Sequence, residues 1–186
     1  MNLRYIFAFL VTIGLIVLIL FLIFGGHGSA PAAKQTSLIK YLDTGSTAQL
    51  LVDGPVNAEQ NHQQLEIDVS AAQVVFTLFQ GYQRTPVNTQ TYANNSSAYA
   101  AFIYGLQRAG FSRGNSSEAL SDERGYCVSG NRYIYTFNDG SRELFRYWST
   151  SCGPATFKGN VPTVQYLFKN QVPDYDTQTS NLSFSF

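Results

Sequence analysis

The chain of 186 residues is poor in the residue types and motifs that carry much of enzyme chemistry. It has only two histidines and two cysteines, no G-x-x-x-x-G-K-[ST] phosphate loop, no G-x-G-x-x-G fingerprint and no G-x-S-x-G around any serine. Twelve basic and twelve acidic side chains cancel, so the chain has no electrostatic footprint for nucleic acid. We therefore expect no cofactor, no metal and no nucleic-acid partner.

The positions of the few histidines and acidic pairs restrict catalysis further. His27 falls beside the apolar N-terminal run, so a Ser-His-Asp or Cys-His site would have to use His62. The acidic pair Asp122-Glu123 could bind a cation, but it lies in a polar loop and we expect it to be solvated. Neither feature predicts a catalytic site.

An uncharged apolar run is what the N-terminus does contain. Residues 5–24, YIFAFLVTIGLIVLILFLIF, are long enough at about 1.5 Å per residue to span a bilayer core of about 30 Å. The apolar region of a cleaved signal is shorter, about 7–15 residues, and Pro31 interrupts the small residues where cleavage would occur. We predict a transmembrane anchor over residues 1–24, in contact with the lipid bilayer through residues 3–24, and a Gly/Ala/Pro tether over residues 25–36.

The remaining sequence predicts an α+β domain over residues 37–175. Its pattern indicates a mostly antiparallel sheet with two helices in the order β-β-β-β-α-β-β-α. In LEIDV, apolar residues alternate with Glu66 and Asp68, as in a strand with one buried face. The four strands before the first helix are expected at residues 48–53, 65–69, 73–82 and 87–92.

Helix boundaries are marked by capping residues. The first helix has three N-cap candidates, Asn95, Ser96 and Ser97, and should end before Gly110, which suits a left-handed C-cap. The second is expected from about Val161 to Gln171, with a proline two residues beyond. The polar, Ser/Thr-rich residues 176–186 predict a flexible tail.

The only two cysteines, Cys127 and Cys152, flank a predicted β-hairpin. The Asp-Gly pair at 139–140 is a strong signal for a two-residue turn. If it forms the turn, Asn138 faces Ser141 and the two cysteines lie directly opposite one another. Cα atoms at such a non-hydrogen-bonded site are about 4.5 Å apart, which a disulfide accepts. We predict a disulfide rather than two buried free thiols, and hence an oxidising compartment.

The same register pairs aromatic residues with arginines across the hairpin. Tyr133 would face Arg146 on the side that also carries Trp148, and Arg132 would face Tyr147 on the other side. These residue types dominate binding hot spots, so the five are candidate binding residues. The simpler interpretation is that the aromatic rings pack against the helices and the arginines cover them.

The stretch YLDTGSTAQLLV at residues 41–52 contains the D-T-G-S tetrapeptide of aspartic proteases. Such enzymes need two carboxylates, so a single copy would require a homodimer of the retroviral type. Gly105 follows Asp43 at about the spacing of their second marker, but it falls inside the first predicted helix, and no glycine-rich flap lies between them. A turn into the first strand needs only Asp43 and Gly45. Catalysis by Asp43 therefore stays an alternative.

Several stretches between about residues 50 and 175 carry a resemblance to a family: DGPVNAEQNHQQLEIDVS, TYANNSSAY, DERGYC, WSTSCG and LFKNQVPDY. They resemble a group of uncharacterised single-pass membrane proteins from Saccharibacteria-type bacteria. The resemblance implies one N-terminal membrane helix followed by a small outer domain. It implies no activity, since none is assigned to that group.

Together these features predict a single-pass protein of the cell membrane, with its N-terminus cytoplasmic and its domain outside. Positive charges on the two sides of the apolar run nearly balance, so this orientation rests on the predicted disulfide and the short N-terminal tail. The expected role is a non-enzymatic interaction or envelope module that binds a protein or envelope partner. The alternatives are the dimeric protease and a protease inhibitor that presents loop 112–126 beside the hairpin.

Overall fold

The computed structural model describes residues 4, 11–16, 19, 36–43, 45–115, 121–153, 155–182 and 184. The chain divides into two compact units, residues 1–32 and residues 33–186. The described residues of the first unit are helical. Within the described ranges, no helix is long and apolar enough to cross a membrane. Most of the predicted span 3–24 lies outside those ranges.

The second unit is an α+β domain built on one antiparallel sheet. Its elements are β1 (Ser46–Asp53), β2 (Gln63–Ser70), β3 (Gln73–Gln80), β4 (Thr85–Ala93), α1 (Ser96–Ala109), β5 (Arg132–Asp139), β6 (Arg142–Thr150), α2 (Val161–Lys169) and α3 (Tyr175–Gln178). The six strands lie in the order β4-β3-β2-β1-β5-β6. The predicted succession of four strands, a helix, a hairpin and a helix is confirmed, and α3 follows it.

Buried residues alternate along β1, and this alternation defines the helix-covered face of the sheet, which we call the core face. Leu50 on β1 lies between Ile67 on β2 and Tyr135 on β5, and all three are fully buried. The long helices contribute Phe102 and Phe168, whose rings meet edge to face with centroids 5.2 Å apart. Each such burial stabilises the fold by about 1.5–3 kcal/mol. The apolar phase of the strands therefore decides which face the helices cover.

Each of the two long helices begins after a capping asparagine. The side chain of Asn95 accepts a hydrogen bond from the backbone N–H of Ala98, and Asn160 caps α2 in the same way. At the end of α1, Gly110 adopts a left-handed φ of 77°. Helix α2 ends at Lys169, two residues earlier than predicted.

The predicted register of the hairpin is wrong. Asp139 pairs with Arg142, so the turn residues are Gly140 and Ser141, and a β-bulge then shifts the ladder again beyond Phe137. Gly140 has a φ of 59°, and the Asp139 carboxylate accepts from Arg142 across the turn at 2.9 Å. Asp139 also pairs with Ser46 of β1, so it belongs to the strand and not to the turn.

The corrected register changes every cross-strand pair in the hairpin. Tyr133 faces Ser149 rather than Arg146, and Arg132 faces Thr150 rather than Tyr147. Consequently Trp148 and Arg146 do not share a face with Tyr133.

The predicted disulfide is confirmed, although the predicted path to it is not. Cys127 and Cys152 are bonded with Cα atoms 5.5 Å apart, and both lie outside the strands. A turn closed by the Gly130 N–H and the Cys127 carbonyl (3.0 Å) brings the first cysteine back towards the second. The side chain of Cys127 thus reaches its partner from a loop and not from the ladder.

Two aromatic side chains pack against the domain at and near the predicted flexible tail, residues 176–186. Tyr175 at the start of α3 is buried and meets the ring of Phe76 edge to face, with centroids 6.3 Å apart. Near the C-terminus Phe184 is buried against Gly54, where an added Cβ would lie 2.8 Å from its ring. Tyr175 thus packs just before this segment and Phe184 packs within it, while the flexibility of the segment stays a prediction.

Candidate functional site: the polar face of the sheet

The side chains that point away from α1 and α2 form a second surface, which we call the polar face. Its centre on β1–β3 comprises nine buried or half-buried side chains, of which six are polar. They are Gln49, Leu51, Asp53, Gln64, Glu66, Asp68, Val75, Thr77 and Phe79. Strand alternation and the register of the sheet place them in three rows that cross the strands.

Asp68 lies in the middle of the polar face, between Gln49 on β1 and Val75 on β3. Its Oδ1 accepts a hydrogen bond of 2.9 Å from Gln49 Nε2. Burial, and then the negative charge of Glu66, raise the pKa of Asp68 to about 6, against the opposing effects of Gln49 and Arg84. Below that pH the carboxyl becomes a hydrogen-bond donor, and above it the face carries a negative charge.

Glu66, two residues before Asp68, is neutralised by an arginine from the turn between β3 and β4. Arg84 Nη2 lies 2.5 Å from Glu66 Oε2, and its guanidinium lies 4.4 Å from the ring centroid of Phe79. The backbone of Arg84 is left-handed, with a φ of 57°, which directs the side chain back over the sheet. Of these neighbouring carboxyl groups, Asp68 is the one that forms no ion pair with another described residue.

A second polar cluster lies where β1, β2 and β5 end together. The Oδ2 of Asp53 accepts from Arg132 Nε at 2.9 Å, and its Oδ1 accepts from Gln64 Nε2 at 2.9 Å. His62 Nε2 lies 2.9 Å from the same Oδ1, and its Nδ1 lies 3.1 Å from the carbonyl of Pro55. This carboxylate has all its lone pairs engaged, so it joins strands and loop rather than serving as a free base.

His62 is closed off from solvent by an aromatic ring. Tyr82 stacks on the imidazole with centroids 4.0 Å apart and planes inclined by 13°. The Tyr82 hydroxyl donates to the Asn57 carbonyl at 2.8 Å, which fastens the β1–β2 loop over the same place. The histidine that the sequence offered for a catalytic triad is therefore fully buried under this lid.

The geometry of the polar face matches no familiar catalytic or metal centre. No group of three or more His, Cys, Asp or Glu side chains among the described residues is placed to hold a metal ion. Neither a family model nor a curated protein matches the chain. The polar face is an array of hydrogen-bonding groups around one titrating carboxyl, and its function has to be inferred from these groups.

The structure does not bring the five candidate binding residues together. Tyr133 and Tyr147 share the core-face side of the hairpin, and Tyr133 is buried there. Arg132, Arg146 and Trp148 lie on the polar-face side, where Arg132 and Trp148 are buried. All five contact neighbours in the domain: Tyr147, for example, stacks on Phe145 with ring centroids 5.2 Å apart.

A segment of the loop 112–126 covers the polar-face side of β5 and β6. The ring of Tyr126 lies on that of Trp148 with centroids 4.9 Å apart, and Glu123 Oε1 accepts from Arg146 Nη2 at 2.7 Å. Beside them Asp122 is exposed, and hydrogen bonds from Arg124 lower the pKa of its carboxyl to about 2. In its described part, this segment of the loop therefore packs against the sheet.

The residues of the protease alternative occupy unrelated positions. Asp43 is exposed in the turn between a short 3-10 segment (Ile39–Tyr41) and β1. Gly105 lies inside α1, where an added Cβ would be 3.1 Å from Leu167 of α2. The glycine thus permits close approach of the two helices.

The residues that define the polar face are not marked as a site by any sequence motif. The alternation in LEIDV did place Glu66 and Asp68 on one face, which was the available signal. It could not show that Gln49 and Arg84 would reach them, because these come from other strands and a turn.

Proposed function

We propose that this protein is a membrane-anchored, non-enzymatic binding module whose domain lies outside the cell membrane and whose polar face contacts a protein partner. One observation carries the proposal. The long helices cover only the core face, whereas the polar face around Asp68 keeps hydrogen-bonding groups half-exposed on β1–β3. A rigid sheet with such a surface can bind a partner without rearranging.

Two further features support the proposed location. The uncharged run at residues 5–24 has the length of a bilayer span. The Cys127–Cys152 disulfide is typical of proteins in oxidising compartments outside the cytoplasm.

The chemistry of the polar face suggests what its partner offers. Since Arg84 neutralises Glu66 and Arg132 neutralises Asp53, the unpaired charge near the centre is that of Asp68. A partner that supplies a lysine, an arginine or another donor to Asp68 would bind better above about pH 6 than below it.

Photo-crosslinking in intact cells tests this proposal. A photoreactive amino acid replaces Gln49 on the polar face, and in a control chain it replaces Tyr166, which is 63% exposed on α2. The proposal expects one defined protein adduct from position 49, none from position 166, and loss of the adduct when Val75→Glu is added. Equal labelling from both positions would rule out the polar face as the binding surface.

A second variant separates binding from the protease alternative. Asp43→Ala changes an exposed turn residue that precedes β1 and is not part of the polar face. It should leave the position-49 adduct unchanged. Loss of the adduct in this variant would count against the module and in favour of a role for Asp43.

A further inference from the structure

The two edges of the sheet are built differently. On the β6 edge, the backbone N–H groups of Thr156 and Phe157 donate to the carbonyl of Trp148 at 3.0 and 2.9 Å. The Trp148 N–H in turn donates to Thr156 Oγ1 at 2.8 Å. A following segment of the chain thus covers this edge, and Arg142 and Arg146 add charge to the strand.

The β4 edge has unpaired backbone groups. The Asn94 N–H donates to the Ala72 carbonyl, which fixes the phase of the β3–β4 ladder. Because hydrogen-bonded pairs recur every second residue, the N–H and C=O groups of Thr89, Thr91 and Ala93 point away from β3. These three residues are exposed, and no other described backbone group bonds to them.

The outer strand also lacks the usual protection against edge pairing. From Thr85 to Ala93 it reads TPVNTQTYA, without a single charge. Pro86 and a bulge interrupt only its first residues, and Val87 has no partner in the β3 ladder. The regular, pairable part of the edge is therefore residues 88–93.

We propose that β4 pairs in antiparallel fashion with β4 of a second copy of this chain, about a two-fold axis at Thr91. In this register Thr91 faces Thr91 of the other copy, and Thr89 faces Ala93. The three outward residues of each strand then form three hydrogen-bonded pairs, each with two backbone hydrogen bonds. On the core-face side, Gln90 faces Tyr92.

A second copy fits this edge better than a charged peptide does. A strand without charges meets no like charge when it pairs with itself, whereas like charges directly opposite one another destabilise a sheet. The outward groups are also centred on one residue, which a two-fold axis requires. The axis stands perpendicular to the sheet, so the polar faces of both copies lie on the same side of a continuous twelve-stranded sheet.

Charge substitutions at the axis test the pairing. The full chain in detergent carries Thr91→Lys or Thr91→Glu, and energy transfer between donor- and acceptor-labelled copies reports association. Each variant alone should associate about fivefold more weakly than the unchanged chain, and an equal mixture of the two should recover because lysine then faces glutamate. Thr163→Lys and Thr163→Glu, at an exposed threonine of α2, are the matched controls and should change nothing.

Cysteine crosslinking tests the register independently of any loss of folding. Thr91→Cys would place two thiols on Cα atoms about 5.5 Å apart across the axis, so mild oxidation should yield a covalent dimer. In the Thr89→Cys variant the Cα atoms of the two cysteines would lie about 14 Å apart, because residue 89 of one copy faces residue 93 of the other, four residues along the strand. This variant should stay monomeric. The proposal would be overturned by any of three results: the unchanged chain never associates, the mixture of lysine and glutamate variants fails to recover, or crosslinking occurs at position 89 but not at position 91.

Discussion

The core face and the polar face of the sheet use neighbouring residues of the same strands in different ways. On β1, Leu50 is fully buried beneath the helices, and the next residue, Leu51, is half-buried on the polar face. Across the sheet the core face is held by packed aromatic and aliphatic side chains. The polar face is held by directed contacts such as those of Asp53 and Arg132.

This difference determines which parts of the domain respond to solution conditions. Apolar burial on the core face does not depend on the protonation of any side chain. The contacts of the polar face depend on the protonation of Asp68 and on ion pairs that desolvation makes costly to break. Changes in conditions should therefore alter the surface proposed for binding while the core face keeps the fold.

The largest effect should come from truncating the core face. Leu50→Ala is expected to lower the free energy of unfolding by about 3–4 kcal/mol, because it leaves a cavity among fully buried neighbours. Leu51→Ala, one residue along the same strand, should cost about 1 kcal/mol, since solvent already reaches that side chain. Urea denaturation of both variants measures the difference, and equal losses would contradict the distinction between the faces.

The next effect concerns the buried ion pair at the end of the polar face. Arg132→Met should lower the free energy of unfolding by about 3 kcal/mol, because Asp53 keeps its charge and loses its arginine. Adding Asp53→Asn should restore part of that loss, which a double-mutant cycle would measure.

The matched control for the ion pair is Arg142→Met on the neighbouring strand. Arg142 is 68% exposed and pairs with Asp139 at the turn, so its replacement should cost less than about 0.5 kcal/mol. A similar cost for both arginines would show that burial of Arg132 adds nothing.

How far the sequence predicts this fold depends on the range of the interactions. Alternation in residues 65–69 and the caps Asn95 and Gly110 are local, and they predicted β2 and α1 to within a few residues. The predicted hairpin register is wrong although its turn signal is strong, because Asp139 pairs with Ser46 of β1 and a bulge follows in the β5–β6 ladder. Turn preferences of short sequence segments do not include the pairing of a strand with a neighbour that is distant in sequence.

The polar face lay beyond the sequence for the same reason. Arg132 and Asp53 are 79 residues apart, and their contact exists only once β5 has inserted beside β1. The disulfide was predicted correctly because the hairpin brings both cysteines close even in the wrong register. Contacts within one hairpin are thus more predictable from the sequence than contacts between strands that are distant in sequence and become neighbours only in the folded sheet.

The smallest expected effect, and the one most specific to the polar face, is the pH dependence that Asp68 confers. Its pKa rises from about 3.8 in the unfolded chain to about 6 in the domain, so the folded state binds the proton more tightly. The native chain therefore gains stability as the pH falls from 6 to 4, and at pH 7 it bears the cost of a buried charge. Asp68→Asn removes that charge and should stabilise the domain by about 1–3 kcal/mol at pH 7.

The pH profile of the difference decides whether this stabilisation comes from the charge. The advantage of Asp68→Asn should shrink as the pH falls through 6 and be small at pH 4, where the carboxyl is protonated in the folded state and partly protonated in the unfolded state. Asp122→Asn serves as the control, since the pKa of Asp122 is lowered to about 2 and the group stays ionised over this range. Denaturation curves at pH 4, 5, 6 and 7 should give a sloping difference for Asp68 and a flat one for Asp122. A flat difference for Asp68 would mean that the polar face does not hold its carboxyl out of water, and the proposed pH-sensitive contact would lose its basis.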